Sequence, residues 1–198
     1  VGSEMCIRDS NYGVLWIGTE DGGLNRFNLN TKEFSFFAPS AGFTNIHGLC
    51  LVDDKLWVGT FSKGLKIIDT RTGTVLKTYQ KNSSPRSLID NSIFAICRTA
   101  TGDIYLGTMF GLVKYNKQSD DFDRIPELNG KFVYDIKEDS GGNIWLATYA
   151  NGAYCYNVND RKWKNYVHDE KDTTSLSYNK VSSIFEDSYH RIWLTTQG

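Results

Sequence analysis

The chain has 198 residues, of which 40% are hydrophobic, 14% aromatic and 23% charged, with 18 Gly and 3 Pro. That balance is too apolar for a disordered chain and rich enough in aromatics to fill a core. The formal net charge of −1 leaves no basic excess for nucleic acid or an anionic membrane surface. No stretch approaches the ~20 apolar residues of a membrane-spanning helix.

Residues 1–10 (VGSEMCIRDS) carry neither an apolar period nor the apolar core of a signal peptide. They match the translation of a transposase adapter used in sequencing libraries, so they are read as non-native and Cys6 is given no role. Residues 11–37 form a partial unit: a strand at 15–19 ending Gly18-Thr19, a strand at 24–27 opened by Gly23, and a run carrying Phe34 and Phe36. Residues 44–79 form a complete unit with apolar runs at 46–51, 56–60 and 65–68 and a fourth run holding Val75 and Tyr79. Residues 89–124 repeat it with runs at 93–97, 104–108 and 112–115, then Phe122; a polar turn at 99–103 joins the first two. Residues 131–166 repeat it again at 133–136, 144–148 and 153–156, then Trp163 and Tyr166, with the turn at 138–143. Residues 179–198 supply runs at 181–185 and 192–196.

These units share one phase. An aromatic residue two before a small residue and Thr recurs as Trp16, Trp57, Tyr105, Trp145 and Trp193, at steps of about 40–48 residues. Each run alternates with period two, and the Gly, Asn and Asp between runs supply hairpin turns. No 3.6-residue apolar period competes with that pattern. The sequence therefore predicts an all-β fold, a β-propeller fragment of four-stranded antiparallel blades, three complete and two partial. The five phased aromatics are assigned to the core between blades. Because propellers close with four to eight blades, the segment is expected to come from a larger ring.

The run Asn179–Asp187, with Val181 and Ile184, followed by a turn and Ile192-Trp193-Leu194-Thr195-Thr196, resembles the two-component regulator propeller repeat. The loops at 83–88 and 172–177 resemble the Ser-Leu-Ser segment that precedes the first strand in that family. Tyr105 in place of Trp, Ala147 and Thr195 in place of Gly, and a turn at 53–56 one residue short depart from its pattern. The resemblance covers nearly all of 11–198. It implies the ligand-sensing part of the periplasmic domain of a hybrid two-component sensor histidine kinase of the Bacteroidetes type, anchored in the inner membrane and working as a homodimer. The ligand it implies is a small molecule, a glycan oligosaccharide, with no membrane contact from this segment and the kinase elsewhere in the parent polypeptide.

A propeller ligand would meet the loops between strands two and three and between blades, which share one face around the channel. Those loops hold Glu20, Asp21, Phe61, Lys63, Met109, Phe110, Tyr149 and Asn151, with Arg86, His168 and Asp169 in the longer inter-blade segments. Phe61, Phe110 and Tyr149 are expected to offer ring faces to sugars, and the polar residues to read hydroxyls; the same rings would also serve as blade caps. His47, His168 and His190 lack metal-ligand spacing, and no nucleophile elbow or phosphate-cradling loop occurs, so no catalytic residue, metal or cofactor is assigned. Glu138-Asp139 and Glu186-Asp187 fall at strand-to-turn corners and are read as turn organisers. Cys50, Cys97 and Cys155 have no disulfide framework and are read as structural thiols. Two other classes stay open: a free-standing protein-interaction propeller, and a propeller lyase or glycosidase.

Overall fold

The computed structural model describes residues 6–10, 13–37, 43 and 45–198, the first of these segments by its backbone alone. Residues 1–5, 11, 12 and 44, which open three of the expected segments, lie outside the described residues. Eighteen strands and one short 3-10 turn, Pro126–Leu128, make up the described secondary structure. Four sheets have four strands each in sequential order and one has two.

The first sheet is β1 (Cys6–Ser10), β2 (Val14–Thr19), β3 (Gly23–Asn28) and β4 (Phe34–Phe37). The second is β5 (Ile46–Val52), β6 (Lys55–Thr60), β7 (Leu65–Asp69) and β8 (Val75–Tyr79). The third is β9 (Ile93–Arg98), β10 (Ile104–Thr108), β11 (Gly111–Asn116) and β12 (Asp121–Arg124). The fourth is β13 (Val133–Glu138), β14 (Ile144–Thr148), β15 (Ala153–Asn157) and β16 (Lys162–Tyr166), and the fifth is β17 (Val181–Glu186) with β18 (Ile192–Thr196). The strands pair antiparallel, from Ser10 opposite Val14 to Val181 opposite Thr196. These are propeller blades, as the repeat period requires.

One count differs from expectation. Residues 11–37 were expected to lack a first strand, but Cys6–Ser10 fills that place, with Arg8 opposite Trp16. The ladder is made by backbone groups, which any extended pentapeptide without Pro can supply, so the pairing is independent of the segment's origin. The chain also divides into two compact units, residues 1–96 and 97–198.

The repeat's small residue is explained by the approach of the next blade. A Cβ on Gly59 would lie 2.7 Å from Ile93 Cγ2, and one on Gly107 2.8 Å from Val133 Cγ1. Gly18 meets Ile46 in the same way. Ala147 takes the place in the fourth blade and is fully buried against Val181, the shorter β-branched residue of β17. In the first unit the blades close over Trp16, Leu24, Phe43, Ile46, Leu49, Leu56 and Ile68, all at most 1% exposed. Burying a large apolar side chain contributes roughly 1.5–3 kcal/mol, so this seam is the main adhesive between blades. Trp16, Trp57 and Tyr105 are buried as expected. Trp145 is half-buried and stacks on Tyr166 with ring centroids 5.5 Å apart. Trp193 departs from that expectation: it is 54% exposed, in a sheet that has two strands among the described residues.

Candidate functional site

Three recurring devices shape the blade end that holds the loops between second and third strands. The first is the Thr of each small-residue–Thr pair. Thr60 Oγ1 donates to the Gly64 carbonyl at 2.8 Å and accepts from Lys63 N at 3.2 Å. Thr148 does the same with Gly152 and Asn151 at 2.6 and 3.0 Å, and Thr108 bonds the Gly111 carbonyl at 2.9 Å. These hydroxyls are fully buried, so each turn is pinned from inside.

The second device is an Asn two residues before the first strand. The Asn91 carbonyl accepts from Gly64 N at 2.9 Å and its side chain from Lys81 N at 2.6 Å. The Asn179 carbonyl accepts from Gly152 N and its side chain from His168 N, both at 2.8 Å. The inter-blade loop is closed further by Ser87, whose hydroxyl bonds the Asn82 and Ser84 carbonyls, and by Ser175 on the Asp169 carbonyl. Leu88 and Leu128 plug these loops at 0% exposure, and Leu176 packs against the fourth-blade core.

The third device is a β-bulge at the start of the first strand. Register slips between Ile46 and Gly48, between Val133 and Asp135, and between Val181 and Ser183, leaving His47, Tyr134 and Ser182 as extra residues. A bulge re-aims a side chain out of the pleat, and here it sets His47 and Tyr134 beside the loop aromatics.

Two aromatic clusters result, one in each unit. In the first, His47 stacks on Phe94 at 4.7 Å and 28°, while Phe61 stands edge-on to both, 6.3 and 6.2 Å away. Burial holds the His47 imidazole below its ordinary value, against the opposing pull of the Glu20 charge. In the second, Phe132 stacks on Tyr149 at 5.5 Å and 20° and tilts against Tyr134 at 5.3 Å. The Lys180 ammonium lies 4.7 Å over the Tyr149 ring. Phe61 and Tyr149 keep 38% and 46% of their surface exposed. Offset aromatic contacts of this kind fix ring orientation while leaving edges and faces open.

Of the residues singled out from sequence, Phe61 lies in the first cluster and Tyr149 in the second, the Glu20 charge acts on His47, and Asn151 N donates to Thr148 Oγ1 in the pinned turn. Asp21 is exposed at its turn. Lys63 belongs to the Thr60 turn, its carbonyl taking Gln80 Nε2 at 3.3 Å. Arg86 is exposed, with its backbone N on Ser84 Oγ. Phe110 is 52% exposed without an aromatic neighbour among the described residues, and its carbonyl accepts from Gly130 N. Half-buried Met109 lies beside it. His168 supports its loop: Nδ1 donates to the Leu176 carbonyl at 2.7 Å and the ring stacks on Tyr178. The Asp169 carboxylate accepts from Lys171 N within the same loop. His47, Phe94, Phe132, Tyr134 and Lys180 were missed. Their signal was a ring or cation at the strand's first turn, masked because period-two reading assigns such residues to the pleat.

The opposite blade end is occupied by turn chemistry. Asp139 accepts from Gly141 N, Asn143 N and Trp145 Nε1, the last at 2.9 Å. Asp187 accepts from Tyr189 N, Arg191 N and Trp193 Nε1, the last at 2.8 Å. Glu138 and Glu186 reach back to the preceding blade, accepting from Ala100 N at 2.7 Å and Ser140 N at 2.9 Å. Cys50 and Cys155 are buried and Cys97 is half-buried; burial first and the Asp139 charge second push the Cys155 thiol up to about 11. Among the described residues no three His, Cys, Asp or Glu side chains converge as metal ligands, and no helix is long and apolar enough to cross a membrane.

The sequence profile of the two-component regulator propeller matches residues 87–110, 127–150 and 175–198. Each match runs from the residue before an inter-blade Leu through the first strand and its turn to just beyond the second strand. Histidine kinase P4 of Formosa agariphila is 27% identical over 202 residues, across all of this chain and 12% of its own length. The extracellular domain of a B. thetaiotaomicron protein described as a hybrid two-component system superposes with a TM-score of 0.59 at 22% identity, over 96% of this chain and 31% of that one. PorZ of Porphyromonas gingivalis, a surface component of the type-IX secretion system, gives 0.74 at 17% identity over 98% and 31%. Virginiamycin B lyase of Staphylococcus aureus gives 0.72 at 16% identity over 97% and 62%. These solved structures share the fold. The chain spans about an eighth of the curated relative and less than a third of the extracellular domain.

Proposed function

We propose that the chain, which matches the two-component regulator propeller over residues 87–110, 127–150 and 175–198, is a ligand-sensing segment of the extracytoplasmic region of a hybrid two-component sensor histidine kinase. The kinase lies elsewhere in the parent, which is membrane-anchored and dimeric, and the segment faces the periplasm. The observation that carries the reading is the pair of bulge-positioned aromatic clusters, His47–Phe61–Phe94 and Phe132–Tyr134–Tyr149, each on a loop end pinned by buried hydrogen bonds. Exposed ring faces held by a rigid scaffold suit the apolar faces of pyranose rings, so the ligand is an oligosaccharide. Signalling then follows from differential affinity for two states of the parent.

The test is a glycan array on the purified chain, followed by calorimetry of the best oligosaccharide with Phe61→Ala and Tyr149→Ala. Removing a stacked ring is expected to weaken binding by about tenfold or more. Array-wide absence of saccharide binding by a folded chain would remove this reading and favour a protein-interaction propeller.

A further inference from the structure

The two clusters differ in charge. Burial lowers the pKa of the His47 imidazole, and the charge of the Glu20 carboxylate opposes that shift. The second cluster holds a half-buried lysine instead. The Lys180 ammonium rests 4.7 Å over Tyr149, and among the described residues no carboxylate lies within 4.0 Å of it. On β13 the Asp135 carboxylate is engaged by backbone groups, accepting from Ile184 N at 3.0 Å and Ile136 N at 2.8 Å. Lys180 is fixed at its root, because its carbonyl accepts from Gln197 N at 2.9 Å and it follows the loop-closing Asn179.

A cation resting on a partly exposed ring is held weakly, whereas a charge-assisted hydrogen bond to an anion is stronger. An incoming anion would therefore draw the ammonium off Tyr149 and free that ring face in the same movement. A ligand exploits both events only if it presents a ring and an anionic group together. We propose that Phe132, Tyr149 and Lys180 form a subsite for an anionic pyranose, a sugar residue bearing a carboxylate or a sulfate. The proposal rests on the saccharide-sensing reading above and deepens it. An ammonium is a point charge without the planar fork of Arg, so the subsite recognises negative charge beside a ring rather than one anion geometry.

The experiment is calorimetry on the full chain with two matched pairs: trigalacturonate against its fully methyl-esterified form, and 6-sulfated maltotriose against maltotriose. In each pair the ring skeleton is kept and the charge removed. At least one charged member is expected to bind about tenfold or more tightly than its neutral counterpart, with affinity falling as NaCl rises from about 0.05 to about 0.5 M, as screening of a charge contact requires. In Lys180→Gln the two members of that pair should bind alike, Lys180→Arg should keep the preference, and Lys162→Gln, exposed on β16, should also keep it. Melting temperatures of the variants identify any that fail to fold, in which case Lys180→Arg and the salt titration carry the decision. A preference for one pair only identifies the anion as carboxylate or sulfate. Equal binding of charged and neutral members overturns the anionic subsite and leaves saccharide sensing standing; no binding by either pair, with neutral glycans also silent on the array, overturns both.

Discussion

At the scale of single residues, the repeat is a set of polar side chains each fixing one backbone corner. Asp187 is the clearest case. Hydrogen bonding from the Trp193 indole first, outweighing burial, and from Arg191 and Tyr189 next, holds its carboxyl at about 2, below the ordinary 3.8. A carboxyl whose folded value is depressed contributes stability that is present above the unfolded value and lost as pH falls through the folded one. The fifth sheet should therefore loosen between pH 4 and about 2. Trp193 fluorescence followed through an acid titration should report that step, and Asp187→Asn should remove it while loosening the turn at neutral pH. The corner role of Asp187 was legible from sequence, since a strand-to-turn position with small polar neighbours demands an organiser. The reach to the indole six residues on was not, because it depends on how the hairpin folds Trp193 back over the turn.

At the scale of elements, sequence alternation located the strands from residue 14 onward but neither Cys6–Ser10 nor the bulges. One extra residue at Ile46–Gly48 or Val133–Asp135 looks like an unbroken alternating run, and only pairing reveals the slip. That slip is why Phe61 and Tyr149 were legible as candidate rings while His47 and Tyr134, the extra residues of the bulges beside them, were not. The repeated Gly was legible as a motif, and its cause is the next blade's first β-branched side chain. Gly59→Ala would push a methyl group to 2.7 Å from Ile93 Cγ2, and overpacking of this kind costs about 1–3 kcal/mol. Ala147→Gly, at the equivalent place where a methyl is already accommodated against Val181, should cost only about 0.5–1 kcal/mol, mostly from backbone freedom. Urea unfolding of the two variants gives the comparison, and equal losses would show that the close approach is not what selects Gly.

At the scale of the molecule, a blade is stabilised by what lies on either side of it, so stability is a nearest-neighbour property. The second unit offers an internal comparison. In the fourth sheet β14 lies between β13 and β15, with Leu146, Ala147 and Thr148 at 0% exposure. In the fifth, β18 pairs only with β17, and Phe185, Tyr189 and Trp193 are 62%, 77% and 54% exposed. The period-two pattern is the same in both, which is why sequence alone placed Trp145 and Trp193 together in the core. A two-stranded sheet is marginal by itself and opens locally at low cost. Amide hydrogen exchange should therefore be fastest in β17 and β18 and slowest in β14, although both sheets carry the same repeat. Lengthening the chain by the third and fourth strands of a further half-repeat, with an aromatic where Tyr166 stands, should bury Trp193 and slow exchange in β18 toward that of β14. If exchange in β18 already matches β14 in the present chain, strand pairing alone sets local stability, and the stacking of Trp145 on Tyr166 at 5.5 Å is a consequence of the blade rather than a support for it.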